Sequence, residues 1–243
     1  MAGGESPRQK MINMMYIVLI AMLALNVDTK VLKKFIMIND SFESTNSEKV
    51  IDNSRKIESI KSAVEDSGNR DEDVAVMKLS ESVREKSSDL VNFMGDIKNT
   101  IIEETGGKDA KTGIKGYKNI DFVYSYMQKD EDNDGLRFGD ELQNRINDFS
   151  TFVQDSVYKG DENSGIHDLA RNADQIPMYQ DDPPTDPSFT ALNFGFGTSA
   201  GAGLATISQL QADVINLEIK ALDKLAATVG AVSYTHLTLP TKA

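Results

Sequence analysis

Residues 11–27 read MINMMYIVLIAMLALNV and contain no charged side chain, whereas Arg8 and Lys10 precede them and Asp28 and Lys30 follow them. As an α-helix this run is about 25 Å long, at about 1.5 Å per residue. That is slightly less than the roughly 30 Å hydrocarbon core of a bilayer, and flanking side chains that snorkel to the interface cover the difference. The run therefore predicts a transmembrane helix near the start of the chain.

A cleaved secretory signal is the alternative interpretation of the same run. Such a signal ends at a small-residue cleavage site, and residues 21–24, AMLA, fit that requirement. However, apolar residues continue after Val27 at steps of three and four, at Val31, Phe35, Ile38 and Phe42. A signal peptide normally gives way to an extended segment, so the sequence favours a retained helix that continues beyond the membrane.

Charge and cysteine content restrict the class of protein. The basic residues before the apolar run predict a cytoplasmic amino terminus, and hence a bulk of the chain on the opposite side of the membrane. The formal net charge of −12 excludes an ordinary basic nucleic-acid binder. Without cysteine the chain has no disulfide, no thiolate metal site and no thiol nucleophile. These properties fit an exported domain of a bacterial envelope protein.

Helical periodicity dominates the remainder, and period-2 strand patterns are nearly absent. The polar stretch at residues 43–49 predicts a kink or a fresh helix start near Ser47. A connection rich in proline, residues 177–187, cannot be a helix or a central strand. The sequence therefore predicts an all-α fold, an up-and-down bundle whose core is formed by apolar stripes in residues 31–42, 50–64, 76–101, 117–127, 142–157 and 204–229.

The predicted organisation has four parts. They are a cytoplasmic amino terminus (1–10), a transmembrane helix (11–30), a periplasmic helical bundle (31–231) and a non-native tail (232–243). The tail, VSYTHLTLPTKA, resembles a translated sequencing adapter, so the sequence predicts that the natural chain continues with further domains past residue 231.

One acidic segment matches a metal-binding pattern. Residues 130–141, DEDNDGLRFGDE, fit the calcium-loop template D-x-[DN]-x-[DN]-G-x5-E. Arg137 occupies the eighth position, where an apolar residue would pair with a second loop, and the sequence contains no second loop. Acidic runs of this kind are also ordinary solvated turns. Calcium binding at this segment stays open, and we expect neither a resident metal nor a cofactor.

Residues for enzyme chemistry are scarce. His167 is the only histidine outside the tail, and we expect it in an exposed loop. The glycine-rich residues 195–203 follow no strand pattern, which indicates a loop before a helix cap rather than a nucleotide cradle. The sequence therefore predicts a protein that is not an enzyme.

The amino terminus resembles the GldM family, called PorM in relatives that do not glide. The resemblance rests on MAGG at 1–4, PRQKMIN at 7–13, Met15-Tyr16 and AMLALN at 21–26, with FES at 42–44 also similar. It is specific over residues 1–45 and looser through residue 231. It implies a component of the type IX secretion and gliding machinery in the inner membrane of Bacteroidetes.

The family further implies a motor driven by proton flow. A homodimer would sit inside a ring of a multi-span GldL/PorL-like protein, and periplasmic or outer-membrane components of the machinery would receive the torque. The apolar run has no carboxylate, so the titrating carboxylate should lie on the partner. By resemblance Arg8 would pair with it and Tyr16 would donate a hydrogen bond in the ring. Further partner contacts are expected at Met11, Asn13, Met14, Met15, Ile20, Ala21, Ala24 and Asn26.

Two other functions remain open. A static envelope tether or scaffold would use the same anchor without energy coupling, and it would tolerate Arg8→Gln. A calcium-dependent periplasmic interaction module would instead depend on residues 130–141.

Overall fold

The computed structural model describes residues 7–110, 113–130 and 135–229, with the backbone alone at residues 21–28 and 162. This part of the chain is mostly helical, so the predicted all-α class is confirmed. Three 3-10 turns, at residues 162–164, 173–175 and 177–179, interrupt the connection before α5. The main elements are α1 (Pro7–Asp66), α2 (Asp71–Glu104), β1 (Lys108–Asp109), β2 (Gly113–Ile114), α3 (Phe122–Met127), α4 (Phe138–Ser156), α5 (Phe189–Phe194) and α6 (Ala200–Ala226).

The three longest helices form the body of the bundle. Two contacts show that α6 runs parallel to α1. Lys49 Nζ donates to Asn216 Oδ1 at 2.7 Å and Lys56 Nζ donates to Asp223 Oδ1 at 2.5 Å, so residue numbers increase in the same direction along both helices. α2 returns antiparallel to both after the turn at residues 67–70. The short helices α3, α4 and α5 pack against one side of this body.

Residues with a left-handed backbone end both α1 and α2. Gly68 and Asn69 adopt φ of +82° and +55°, and the Asn69 amide closes α1 by donating to the Val64 carbonyl at 3.1 Å. Glycine tolerates this left-handed backbone, which is why it commonly follows a helix end. Gly106 and Gly107 terminate α2 in the same manner, with φ of +108° and +83°.

The core lies mainly between α2 and α6, as their apolar periodicity predicts. Ser199 caps α6 by accepting a hydrogen bond from the Ala202 amide at 3.2 Å. Leu204 of α6, Val83 of α2 and Ile146 of α4 are fully buried. Each such side chain contributes about 1.5–3 kcal/mol through burial, so this shared core is the largest stabilising term in the bundle.

The predicted fresh helix start near Ser47 is wrong, because α1 continues without interruption through Ser47, whose hydroxyl donates to the Glu43 carbonyl at 2.8 Å. The alternative, a kink at this point, stays a prediction. The stripe at residues 31–42 also fails as a core face, because Val31 and Ile38 stay 46% and 43% exposed. In this part of α1 the side chain that enters the core is Ile36, the neighbour of Phe35. Farther along the helix, polar side chains occupy much of the same buried face.

The region between α2 and α4 differs from the helical pattern in residues 117–127. Only Phe122–Met127 is helical, and Gly116 forms a tight turn beneath the end of α2. A two-residue hairpin precedes it, in which Lys108 pairs with Ile114 and Asp109 with Gly113. Strands this short leave no period in the sequence, so periodicity could not reveal them.

Candidate functional site

The first turns of α1 project an apolar surface that no other described element covers. Exposure is 76% at Met11, 58% at Tyr16 and 63% at Ile20. Soluble helices bury one face and expose polar residues on the other, so a helix that is apolar all round requires an external apolar environment. The exposed large residues are Met11, Met14, Met15, Tyr16, Ile17, Val18, Leu19 and Ile20.

The predicted contact residues lie on this segment. Arg8 is exposed in the first turn of α1, and Tyr16 lies eight residues on, about 12 Å along the axis. Asn13 is half-buried and accepts a hydrogen bond from Gln9 Nε2 at 3.4 Å. Met11, Met14, Met15 and Ile20 share the exposed segment. The side chains of Ala21, Ala24 and Asn26 lie outside the described residues.

Across the described residues, no helix combines the length and the apolar character that a membrane crossing requires. The side chains of residues 21–28 are not among those described.

Farther along α1, four apolar residues form a second, partly exposed surface. Val31 and Ile38 are exposed, and Phe35 and Phe42 are half-buried. Their steps of four, three and four residues place them on one side of the helix. We name these four residues the outer stripe.

The inner face of α1 is fixed to the bundle by buried polar contacts. Glu218 of α6 is 0% exposed and accepts hydrogen bonds from Arg84 Nη1 at 3.0 Å and Ser87 Oγ at 2.9 Å. Arg84 extends between the helices and donates through Nη2 to the Val50 carbonyl at 3.3 Å and Ser54 Oγ at 3.0 Å. One guanidinium thus joins α1, α2 and α6.

A second polar layer lies nearer the amino-terminal part of α1. Lys98 of α2 is 6% exposed and donates to Glu43 Oε1 and Ser208 Oγ, both at 2.5 Å. Ser208 Oγ in turn donates to Asn39 Oδ1 at 2.8 Å, and Asn46 Nδ2 donates to the Ser208 carbonyl at 3.0 Å. The charge of Lys98 is therefore balanced where it is buried, as burial of a cation requires.

We name the two layers together the polar seam, and sequence reasoning missed it. The available signal was asparagine at a seven-residue spacing, at Asn39, Asn46 and Asn53, each buried on the inner face of α1. Asparagine at such positions commonly specifies helix register at a cost in stability. Asn53 is 0% exposed and neither side-chain amide atom has a hydrogen-bond partner among the described residues.

The acidic segment forms only part of a calcium-loop arrangement in the described residues. The Gly135 amide donates to Asp130 Oδ2 at 3.0 Å, and Gly135 has the positive φ of +87° that the template turn requires. The closing Glu141 instead pairs with Arg145, whose Nη2 lies 2.6 Å from Glu141 Oε1. Asp132 and Asp134 lie outside the described residues, so calcium binding remains untested.

Arg137, at the eighth position of that segment, holds the start of α4. Its Nε donates to Asp140 Oδ2 at 2.6 Å, and Thr190 Oγ1 donates to Asp140 Oδ1 at 2.5 Å. Burial opposes ionisation of Asp140, but these hydrogen bonds outweigh it and hold its pKa below the ordinary value. The cluster therefore joins α4 to α5.

The only described histidine is exposed in a loop, as predicted. His167 Nδ1 lies 3.2 Å from the Gly165 carbonyl, and the ring borders a groove beside Asp213 of α6. Burial raises the pKa of Asp213, against the opposing charges of Arg171 and Lys49. Within the described residues, no group of three or more His, Asp or Glu side chains is arranged to hold a metal ion.

Comparison with known proteins connects this arrangement to a family. A search of curated proteins found no match to the chain. The sequence model of the GldM N-terminal domain matches residues 30–228, from the part of α1 that begins to pack on the bundle to the end of α6. The match covers well over half of the chain. The chain therefore belongs to the GldM family and is a component of the type IX secretion and gliding machinery.

Proposed function

We propose that this protein is the inner-membrane motor component of that machinery and that it has no catalytic activity of its own. The amino-terminal part of α1, residues 11–30, is its single membrane span, with residues 1–10 in the cytoplasm and the bundle in the periplasm. The observation that carries the proposal is the exposed apolar surface from Met11 to Ile20. Lipid and a surrounding membrane protein are the environments that this surface fits.

The partner is a multi-span GldL/PorL-like protein that surrounds the span and supplies a titrating carboxylate. Arg8 pairs with that carboxylate and stays charged at every relevant pH, so protonation of the partner alone makes and breaks the pair. Arg8 lies one turn before the apolar run, and its long side chain can reach a partner carboxylate inside the membrane, where a buried charge is costly unless it is paired. Tyr16, exposed one and a half turns into the apolar run, donates a hydrogen bond in the same ring.

Motion of the span reaches the periplasm through α1 itself. The helix has 60 residues and is therefore about 90 Å long without interruption. The polar seam joins its inner face to α2 and α6, so rotation of α1 carries the bundle with it. The periplasmic or outer-membrane components of the machinery receive this torque.

A second copy of the chain covers the outer stripe. Val31, Phe35, Ile38 and Phe42 repeat at the four- and three-residue steps of a coiled-coil face. Two spans of equal orientation in one ring would bring two such stripes together in parallel. This homodimer accounts for apolar side chains that the monomer leaves exposed.

The test is co-expression of this chain with the multi-span protein encoded beside it, followed by purification through a tag on this chain. We expect a stable complex that Arg8→Gln weakens or inactivates and that Lys10→Gln leaves intact. Both residues are exposed and near the same helix end, so the second variant controls for loss of positive charge.

Each outcome separates the motor from its alternative. Recovery of this chain without the multi-span protein would refute the motor. An Arg8→Gln variant that forms the complex and keeps full secretion and gliding activity would refute it too. The latter result would favour a static tether or scaffold, which needs no arginine contact.

A further inference from the structure

The end of the bundle nearest the proposed span is built from the start of α6, the turn before α3 and the adjoining part of α1. The Ala200 amide donates to the Asn119 carbonyl at 2.7 Å, which joins that turn to α6. A Cβ on Gly201 would lie 3.2 Å from Ile36 Cδ1, so the start of α6 is level with Ile36. Ile36 lies six residues, or about 9 Å along α1, beyond residue 30. This end of the bundle therefore lies close to the point where the proposed span ends.

A turn immediately before α6 presents an aromatic ring to solvent. The Thr198 amide donates to the Gly195 carbonyl at 3.1 Å, which places Phe196 at a central position of the turn. Gly197 has φ of +85°, as a type II turn requires at its third position. A Cβ on Gly195 would lie 2.4 Å from the Ala191 carbonyl oxygen. Two glycines are thus needed to hold Phe196 in this position.

Phe196 belongs to a small apolar surface. It is 85% exposed, the most exposed of the large apolar residues in the described part of the chain. Its ring meets that of Tyr124 edge-on, with 5.8 Å between the centroids, and Ile120 follows the Asn119 carbonyl that binds α6. Single exposed apolar residues are ordinary, but a cluster centred on an exposed aromatic ring is typical of a protein contact. We name Phe196, Tyr124 and Ile120 the aromatic tip.

Charges at this end of the bundle nearly cancel. Among the described side chains of segments 29–40 and 103–121 there are six lysines and five carboxylates. The lysines are Lys30, Lys33, Lys34, Lys108, Lys115 and Lys118, and the carboxylates are those of Asp40, Glu103, Glu104, Asp109 and Asp121. Such a balance provides little attraction to a charged surface. The apolar side chains of the aromatic tip are therefore the feature that a partner recognises.

The width of the bundle places the aromatic tip over the ring protein of the proposed function. A helix with its side chains is about 10–12 Å across. The bundle sets α2 and α6 beside α1, with α3, α4 and α5 outside them. A ring that fits around the spans alone cannot admit this bundle. The bundle therefore rests over the periplasmic face of the ring, at the level where the aromatic tip projects.

We propose that the aromatic tip is a docking surface for the multi-span ring protein and inserts between the helix ends on the periplasmic face of that protein. The inference rests on the proposed function, in which the same partner surrounds the span, and it adds a second contact outside the membrane. The surface that receives the tip is apolar and needs no opposite charge. Because the tip precedes α6, it lies to one side of α1. It therefore contacts one ring subunit at a time and passes to the next as α1 turns.

The test places the photo-cross-linker p-benzoylphenylalanine at single positions of the full chain, in the complex co-purified with the multi-span protein. At residue 196 the probe keeps the aromatic ring that it replaces. We expect light to join this chain to the multi-span protein from residue 196 and from residue 120. The same probe at Ile51, which is 53% exposed and about 32 Å beyond residue 30 along α1, should not reach that protein.

Substitution within the tip measures its contribution. With the probe at residue 120, Phe196→Gln should lower the ratio of docked to undocked complex by about 10- to 100-fold, the effect of withdrawing one phenylalanine side chain from a buried contact. Ile51→Gln removes another exposed apolar side chain and should leave that ratio unchanged. Because the charges balance, salt at about 0.5 M should not reduce cross-linking, and a steep loss would contradict an apolar contact.

The outcomes distinguish this inference from the proposed function. An intact complex in which residue 196 forms no adduct, or an adduct with lipid alone, overturns the docking surface and leaves the ring around the span standing. An adduct between two copies of this chain overturns it too, because a second copy would then cover the tip. Failure to recover any complex overturns the proposed function and this inference together.

Discussion

The ion pair between Arg84 and Glu218 gives the sharpest prediction about what holds α1 to the bundle. Glu218 is 0% exposed and its oxygens accept from Arg84 Nη1 at 3.0 and 3.2 Å and from Ser87 Oγ. Arg84→Met keeps a long apolar side chain but leaves a buried carboxylate without its cation. Breaking a buried pair in this way costs about 3–5 kcal/mol. At about 2–4 °C per kcal/mol, the melting temperature should fall by about 6–20 °C.

The measurement is thermal and urea unfolding of the unsubstituted protein and the Arg84→Met variant, followed by far-UV circular dichroism in the same detergent. Arg55→Met is the matched control, because its ion pair with Asp52 is exposed, with 75% and 60% of the side-chain surfaces in solvent. Exposed pairs of this kind contribute at most about 1 kcal/mol. The double variant Arg84→Met/Glu218→Leu removes both charges and should recover most of the loss.

The comparison among these variants can refute the reasoning directly. If Arg84→Met unfolds at the same temperature as Arg55→Met, the buried pair contributes no more than a surface pair. If the double variant is no more stable than Arg84→Met, the loss comes from disturbed packing and not from an unpaired carboxylate. Either result would contradict the role given to the polar seam.

Three further predictions concern single sites. Hydrogen bonds outweigh burial and hold the pKa of Asp140 low, so its ionised form stabilises the fold above the unfolded-state pKa of about 3.9 and stops doing so as pH falls through the folded-state pKa. Asp140→Asn should therefore lower the melting temperature at neutral pH and flatten its dependence on acid pH; an unchanged acid profile would contradict this. A Cβ at Gly116 would lie 1.9 Å from the Thr105 carbonyl oxygen, so Gly116→Ala should destabilise by about 1–3 kcal/mol in urea unfolding. Gly95→Ala, with no atom within 4 Å in the middle of α2, should instead stabilise by about 1 kcal/mol, and equal effects would count against the close approach. Asn53→Leu should stabilise by about 1–3 kcal/mol, because it removes a buried amide that makes no hydrogen bond to the described residues; a lower melting temperature would contradict this.

Periodicity predicted α2, α4 and α6 because their buried faces are apolar and their exposed faces polar. On α1 it placed Ile60 and Val64 in the core correctly, but it failed on residues 31–42 for the opposite reason. There the buried face carries Asn39, Asn46 and Asn53, and apolar Val31 and Ile38 point outward. A pattern based on hydrophobicity assigns the apolar side to the core, so it selected the wrong face.

The same limit applies to the candidate site. The sequence could identify Arg8 and Tyr16 through a family motif, and the structure places both on an exposed helix. It could not predict the contact between Arg84 and Glu218, since 134 residues separate them and no local pattern marks either one. The spacing of the asparagines was visible but has meaning only once the partner helices are known.

The two faces of α1 together favour a helix that works between partners. For an isolated bundle both faces are unfavourable, because buried polar layers add little net stability and exposed apolar stripes invite association. Polar layers do, however, define one register, since any slip of α1 would separate Lys98 from Glu43 and leave buried charge unpaired. A helix fixed in this way cannot slide or turn against α2 and α6 without breaking those contacts. Under the proposed function, force applied to the amino-terminal part of α1 therefore moves the whole bundle, while the outer stripe and the exposed apolar turns remain free to bind what lies outside it.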